Sequence, residues 1–204
     1  MRVTFVRLAD HEWGHVAIER DDGVVYHMNT GPLTGQTPHD LVHYTVEDAL
    51  GIADGIWGAI AGGVVFRSMR HVSGRRPPHA AERSRELIRE HRDRLRNAEL
   101  IGGLCERSAD LSAEQLARFV AGEPSLALTV EQLAVAGAAL REAGARWSAL
   151  PVGGRLELRW PGHRRLRAAG PAPAPTEPPA RSRSRRGRTT ARPRPSAGSR
   201  RRTP

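Results

Sequence analysis

Apolar and polar positions alternate from the start of the chain. In residues 2 to 8, RVTFVRL, Val3 and Phe5 fall on one face and Thr4, Val6 and Leu8 on the other, a period-two pattern that predicts a strand. Residues 15 to 20 (HVAIER) and 24 to 29 (VVYHMN) read the same way, and Asp21-Asp22-Gly23 between them is a hairpin turn signal. The first 29 residues therefore predict a three-strand antiparallel meander. Residues 30 to 37 read as loop. A helix is expected from Thr37 as cap and Pro38 as first helical residue, with Asp40 in the first turn, running to about Leu50 and ending at Gly51.

Beyond residue 50 the period lengthens. Residues 55 to 66, GIWGAIAGGVVF, are uncharged, with small residues at every fourth position. They predict a buried helix capped by Asp54, with Trp57, Ile60 and Val64 packing. Residues 70 to 79 read as a basic, proline-containing loop. From Ala80 to Arg107, Leu87, Ile88, His91, Leu95, Ala98, Ile101 and Cys105 recur at helical spacing, with Gly102-Gly103 as the expected break or kink. Ser112 to Gln115 and Thr129 to Gln132 fit the capping box and open two helices, expected to end near Gly122 and Gly144. Arg155 to Trp160 predicts a fourth strand, with Leu156, Leu158 and Trp160 on one side. Strands at both ends and helices between imply an α+β fold, a small antiparallel sheet packed with four to five helices.

Charge changes this picture at one end. All 32 basic residues are arginine, and residues 163 to 204 carry 13 of them against one acid, Glu177. That segment has no aromatic and, after Arg167, no aliphatic side chain larger than alanine. It cannot bury enough to offset its ordering entropy and is expected to be disordered. The division is a domain over 1 to 162 and a tail over 163 to 204. Arg181, Arg183, Arg185, Arg186, Arg188, Arg200, Arg201 and Arg202 are the candidate contacts to nucleic acid or another polyanion. Without interleaved aromatics such binding would be sequence-blind. Arginine, alanine, glycine and proline all have GC-rich codons, so compositional drift in a GC-rich genome competes with that function.

No run of about 18 apolar residues occurs, so no membrane-spanning helix is expected. The charged, alternating start has no signal-peptide core, which points to the cytoplasm. The single cysteine, Cys105, sits on an apolar helical stripe and reads as a buried thiol.

Two histidine pairs carry candidate chemistry. Residues 11 to 15, HEWGH, match the letters of the zinc-protease motif. That motif works only on a helix, which places both imidazoles on one face. Here it lies between two strand patterns, contains Gly14, and reads as a hairpin turn with His15 opening a strand. Residues 39 to 43, HDLVH, have the helical context. Relative to His39, His43 falls at about 40°, Glu47 at about 80° and Asp40 at about 100° around the helix. His39 and His43 are therefore candidate metal ligands, with Asp40 or Glu47 as base or third ligand and zinc as the natural ion. His71 and His79 are further ligand candidates by composition alone. The plain alternative is a first-turn Asp40 favoured by the helix dipole and an ordinary His43–Glu47 pair.

Residues 37 to 63 resemble a pattern in small uncharacterised actinobacterial proteins, P-H-D-L-x-H-x-x-V-E followed by D-G-x-W-G. It is carried here by Pro38, His39, Asp40, Leu41, His43, Val46, Glu47, Gly55, Trp57 and Gly58. The resemblance extends over residues 1 to 162 and implies an actinobacterial source and the domain boundary; it implies no activity.

Three functional classes follow. The leading one is a non-enzymatic cytoplasmic protein without a cofactor, with a near-neutral domain and a polyanion-binding tail. The second is a metal-dependent, hydrolase-like enzyme using the HDLVH helix. The third is an interaction module whose glycine-rich helix 55 to 66 packs against a partner chain, a homo-oligomer included.

Overall fold

The structure, a computed structural model, describes residues 1–9, 14–29, 33–34, 37–122 and 128–167. In chain order the strands are β1 (Arg2–Arg7), β2 (Gly14–Glu19), β3 (Val25–Asn29), β4 (Leu33–Thr34), β5 (Thr37–Pro38), β6 (Arg70–Ser73) and β7 (Arg155–Arg159). The helices are α1 (His39–Leu50), α2 (Ile56–Gly62), α3 (Ala80–Glu90), α4 (Arg92–Ser108), α5 (Ala113–Gly122) and α6 (Val130–Ser148). The class is α+β, with an antiparallel five-stranded sheet in the order β6-β3-β2-β1-β7. No helix among the described residues is long and apolar enough to cross a membrane.

The predicted meander is present. Val3 faces Ile18 and Phe5 faces Val16 across β1 and β2, and Ile18 faces Tyr26 across β2 and β3. Gly23 supplies the positive φ of 78° that the β2–β3 turn needs. β7 pairs with β1, and Trp160 just beyond it is buried. The fifth strand, β6, corrects the loop expected over 70 to 79: Arg70–Ser73 extends the sheet along β3. All four of its residues are exposed, so it has no apolar alternation to read. Residues 33–34 and 37–38, also expected as loop, form a two-strand ladder.

α1 is the central helix. Leu41 and Tyr44 face the sheet, where Phe5, Tyr44, Trp57 and Trp160 make edge-on or tilted ring contacts at 5.3 to 6.4 Å. Val42 and Val46 face a second core with Cys105, Leu116, Leu133 and Leu140. Its cap is Pro38, without a side-chain bond; Thr37 lies in β5 instead of capping. Gly51 ends it with a left-handed φ of 69°, as expected. Cys105 is fully buried, and burial raises its thiol to about 11.

Four further boundaries differ from the sequence reading. The segment over 80 to 107 breaks at His91 and passes through Gly102-Gly103 intact. The His91 ring at the break is buried and its Nε2 lies 3.1 Å from the Arg167 carbonyl. Both capping boxes form, at Ser112 with Gln115 and at Thr129 with Gln132. α6 nevertheless continues through Gly144 to Ser148, and a Cβ on Gly144 would stand 3.0 Å from Thr37 Oγ1. α2 is shorter than expected and begins after Gly55, not at Asp54.

The folded unit also extends past residue 162. Leu166 is buried among Ala59, Val64, Leu87 and Leu95. Its amide donates to the Gly58 carbonyl at 2.9 Å, and Arg164 donates to the Asp48 carbonyl and carboxylate. Residues 163 to 167 are therefore a strap on the domain and not the start of a tail. Residues 168 to 204, with Arg181 to Arg202, lie outside the described residues.

Candidate metal centre

His39 is the first residue of α1, and His43 lies one turn further on. One turn of 3.6 residues brings the rings together, edge to face with centroids 4.5 Å apart. α4 crosses them and supplies Glu99. His43 Nε2 stands 3.1 Å from His39 Nε2 and 3.1 Å from Glu99 Oε2, and His39 Nε2 stands 3.7 Å from the same oxygen. Ligand atoms about 2.0–2.2 Å from a tetrahedral ion stand about 3.3–3.6 Å apart, so this triangle has the size of one face of a zinc coordination sphere. Among the described residues, His39, His43 and Glu99 form the group able to hold an ion.

The site is closed below and open above. The His43 side chain is 3% exposed, whereas those of His39 and Glu99 are 38% and 53% exposed. Hydrogen bonds from His39 and His43 hold the Glu99 carboxyl well below the ordinary carboxylate range, against the opposing effect of burial. The hydrogen bond to Glu99 raises His39; burial works the other way, and the charges of Glu99, Asp40 and Glu106 add to the rise. The local field is negative and favours a cation.

His43 is positioned by packing. Its Nδ1 is buried without a hydrogen-bond partner, and a Cβ on Gly102 of α4 would stand 2.7 Å from His43 Cε1 and 2.9 Å from Nδ1. The glycine gives the ring its room. That is the signal for Glu99 that sequence reading missed: Gly102 follows Glu99 by one turn on the same helix face, and a mid-helix glycine costs about 1 kcal/mol unless something approaches closely.

The other candidates lie elsewhere. Glu47 is 1% exposed and accepts the Ile56 and Trp57 amides at 2.8 and 2.9 Å, closing the first turn of α2. Gly55 makes this possible, since a Cβ there would stand 2.4 Å from the Glu47 carboxyl carbon. Burial raises Glu47 to about 7, and the two amide bonds pull against that rise. Asp40 sits in the first turn of α1, and its carbonyl accepts the Trp57 indole N–H at 3.1 Å. His71 Nε2 lies against the Gly74 carbonyl, and His79 precedes α3 with a φ of 55°. In the other motif His15 is on β2, packed edge-on against His27, which matches the strand reading; residues 11 to 13 lie outside the described residues.

The small faces around α2 meet the chain's own backbone. Cβ atoms on Gly58 and Gly62 would stand 1.9 and 2.4 Å from the Ala53 and Leu166 carbonyl oxygens. No protein-family model matches the chain, and neither does a curated protein or a solved structure.

Proposed function

We propose that the folded unit binds a divalent transition-metal ion of the zinc type through His39 Nε2, His43 Nε2 and Glu99 Oε2. The observation that carries this reading is the triangle of 3.1, 3.1 and 3.7 Å, set by two helices and rooted in a buried imidazole. Without an ion the three groups can still pair as imidazolium and carboxylate, and that pairing is the competing account. Metal and protons would compete for His39 Nε2, whose imidazole the hydrogen bond to Glu99 raises above the ordinary value of about 6.5, so affinity falls as pH is lowered and begins to fall above that value.

Calorimetric zinc titration of the full chain, with metal analysis of purified protein, tests the reading. One ion per chain is expected, with His43→Ala and Glu99→Gln each weakening binding at least 10-fold. Sub-stoichiometric metal that neither variant changes would remove the proposal. Two histidines and one carboxylate with a fourth position open to water are the ligand set of hydrolytic zinc sites. Hydrolysis is therefore the second reading, supported by the exposure of His39 and Glu99, with Asp40 and Glu106 the acids nearest the site's field.

For the chain after Ala169 the proposal is sequence-blind contact with polyanions. It carries ten arginines and one acid, against 22 arginines and 21 acids before it. Stronger retention of the full chain than of a chain ending at Ala169 on immobilised DNA is expected, and equal retention would exclude the tail.

A further inference from the structure

Over residues 80 to 122 eight arginines are interleaved with eight acids, and four of these arginines are ion-paired, whereas Arg83, Arg92, Arg96 and Arg107 form no ion pair with a described residue. Arg85 pairs with Glu82, Arg89 with Glu86 and Arg118 with Glu114, each within one helical turn, and Arg94 reaches Asp54 across the fold. One stretch departs from this pattern. From Gly55 to Ala81 the sequence has no acid, yet it carries Arg67, Arg70, Arg75 and Arg76. All four are exposed, and none forms an ion pair with a described residue. A GC-rich composition places arginines everywhere; it does not explain why carboxylates accompany them on the helices and are missing here.

The four arginines lie on and beside β6, the outer strand of the sheet, whose far edge has no partner strand among the described residues. Arg70 stands opposite His27 in the β3–β6 ladder, and His27 packs on His15 with ring centroids 4.3 Å apart. His15 and His27 are half-buried on the face of the sheet away from the core, where Val16 and Met28 alternate with them on the buried side, and Arg70 opposite His27 lies on that same face. Arg70 lies on β6, with Arg67 just before the strand and Arg75 and Arg76 just after it, and like charges gathered at one edge repel each other and are relieved by a linear polyanion. Val72 is the one large exposed apolar side chain on β6, too little to anchor a lipid surface. The two half-buried imidazoles beside Arg70 offer ring faces to bases, which an acidic peptide would leave unused.

We infer that the β6 edge, with Arg67, Arg70, Arg75 and Arg76, docks the phosphate backbone of a nucleic acid on the open face of the sheet. This rests on observations separate from both the metal centre and the tail.

The test is binding of the full chain to a single-stranded DNA of about 20 nucleotides, whose bases are free to stack, over a range of salt concentrations. A variant with Arg67→Gln, Arg70→Gln, Arg75→Gln and Arg76→Gln is compared with wild type. A second variant loses the same charge from four ion-paired arginines, Arg85→Gln, Arg89→Gln, Arg94→Gln and Arg118→Gln. Each lost phosphate contact to a single strand lowers the slope of log affinity against log salt by about 0.7. The β6 variant is expected to lose about 2 to 3 in slope and at least 10-fold in affinity at moderate salt. The helix variant is expected to stay within about 3-fold. An unchanged slope in the β6 variant, or equal losses in both, would overturn the inference; circular dichroism of both variants establishes that the fold is retained.

Discussion

At Glu47 a carboxylate closes the first turn of a helix to which it does not belong. The side chain leaves α1, is buried, and receives two amide N–H groups of α2. Those amides have no partner within their own helix, so the carboxylate does the work of a cap from a distance. Its burial has a pH consequence. The folded carboxyl is raised to about 7, while an unfolded one titrates near about 4.3. Between those values the folded chain keeps a proton that the unfolded chain releases. This contribution to stability is full below about pH 4.3 and lost as pH rises through about 7. Glu47→Gln cannot ionise, so its stability relative to wild type should improve steadily from pH 5 to pH 8. Urea unfolding across that range measures the difference; a gap that does not change with pH would contradict the assignment.

Between elements, the contact that defines the candidate site is α1 against α4. A helical wheel groups His39, His43, Glu47 and Asp40 in one quarter of α1, because it keeps the angle and discards the rise. Glu47 is eight residues from His39, about 12 Å along the axis, too far to share an ion with it. The third ligand must come from another helix, and Glu99 does. Gly102 sets how closely α4 approaches, with no Cβ against the His43 ring. Gly102→Ala should therefore displace that imidazole and weaken zinc binding about 10-fold, as loss of a ligand's supporting shell commonly does. Calorimetry reads the affinity, and an unchanged value would show that the ring has room to spare.

Over the whole molecule, residues 163 to 167 tie the end of the sheet back across α2, α3 and α1. Leu166 fills a pocket of apolar side chains, and Arg164 ties down the end of α1 at Asp48. A chain ending at Gly162 should lose roughly 2–3 kcal/mol, dominated by burial of one leucine, and should unfold at a lower temperature. A chain ending at Ala169 should match the full chain. Thermal unfolding of the three compares them directly, and equal midpoints for the 162 and 169 chains would deny the strap its role. The compositional boundary missed this because five residues holding three arginines read as tail, while one leucine among them decides where they go.

The sequence by itself determined the elements whose pattern is local. The meander, the Gly51 stop, both capping boxes, the buried thiol and the α+β class follow from alternation, helical period and turn chemistry within a few residues of each other. The HEWGH letters were excluded in the same way, since His15 lies on a strand. Tertiary structure alone decided the rest, because those features depend on groups far apart in the chain. β6 is a strand because β3 offers it a ladder, the His91 ring is buried against the Arg167 carbonyl, and Glu47 serves α2 instead of the histidines. Glu99 joins His39 and His43 across sixty and fifty-six residues of sequence, and only the packing of α4 on α1 puts it there.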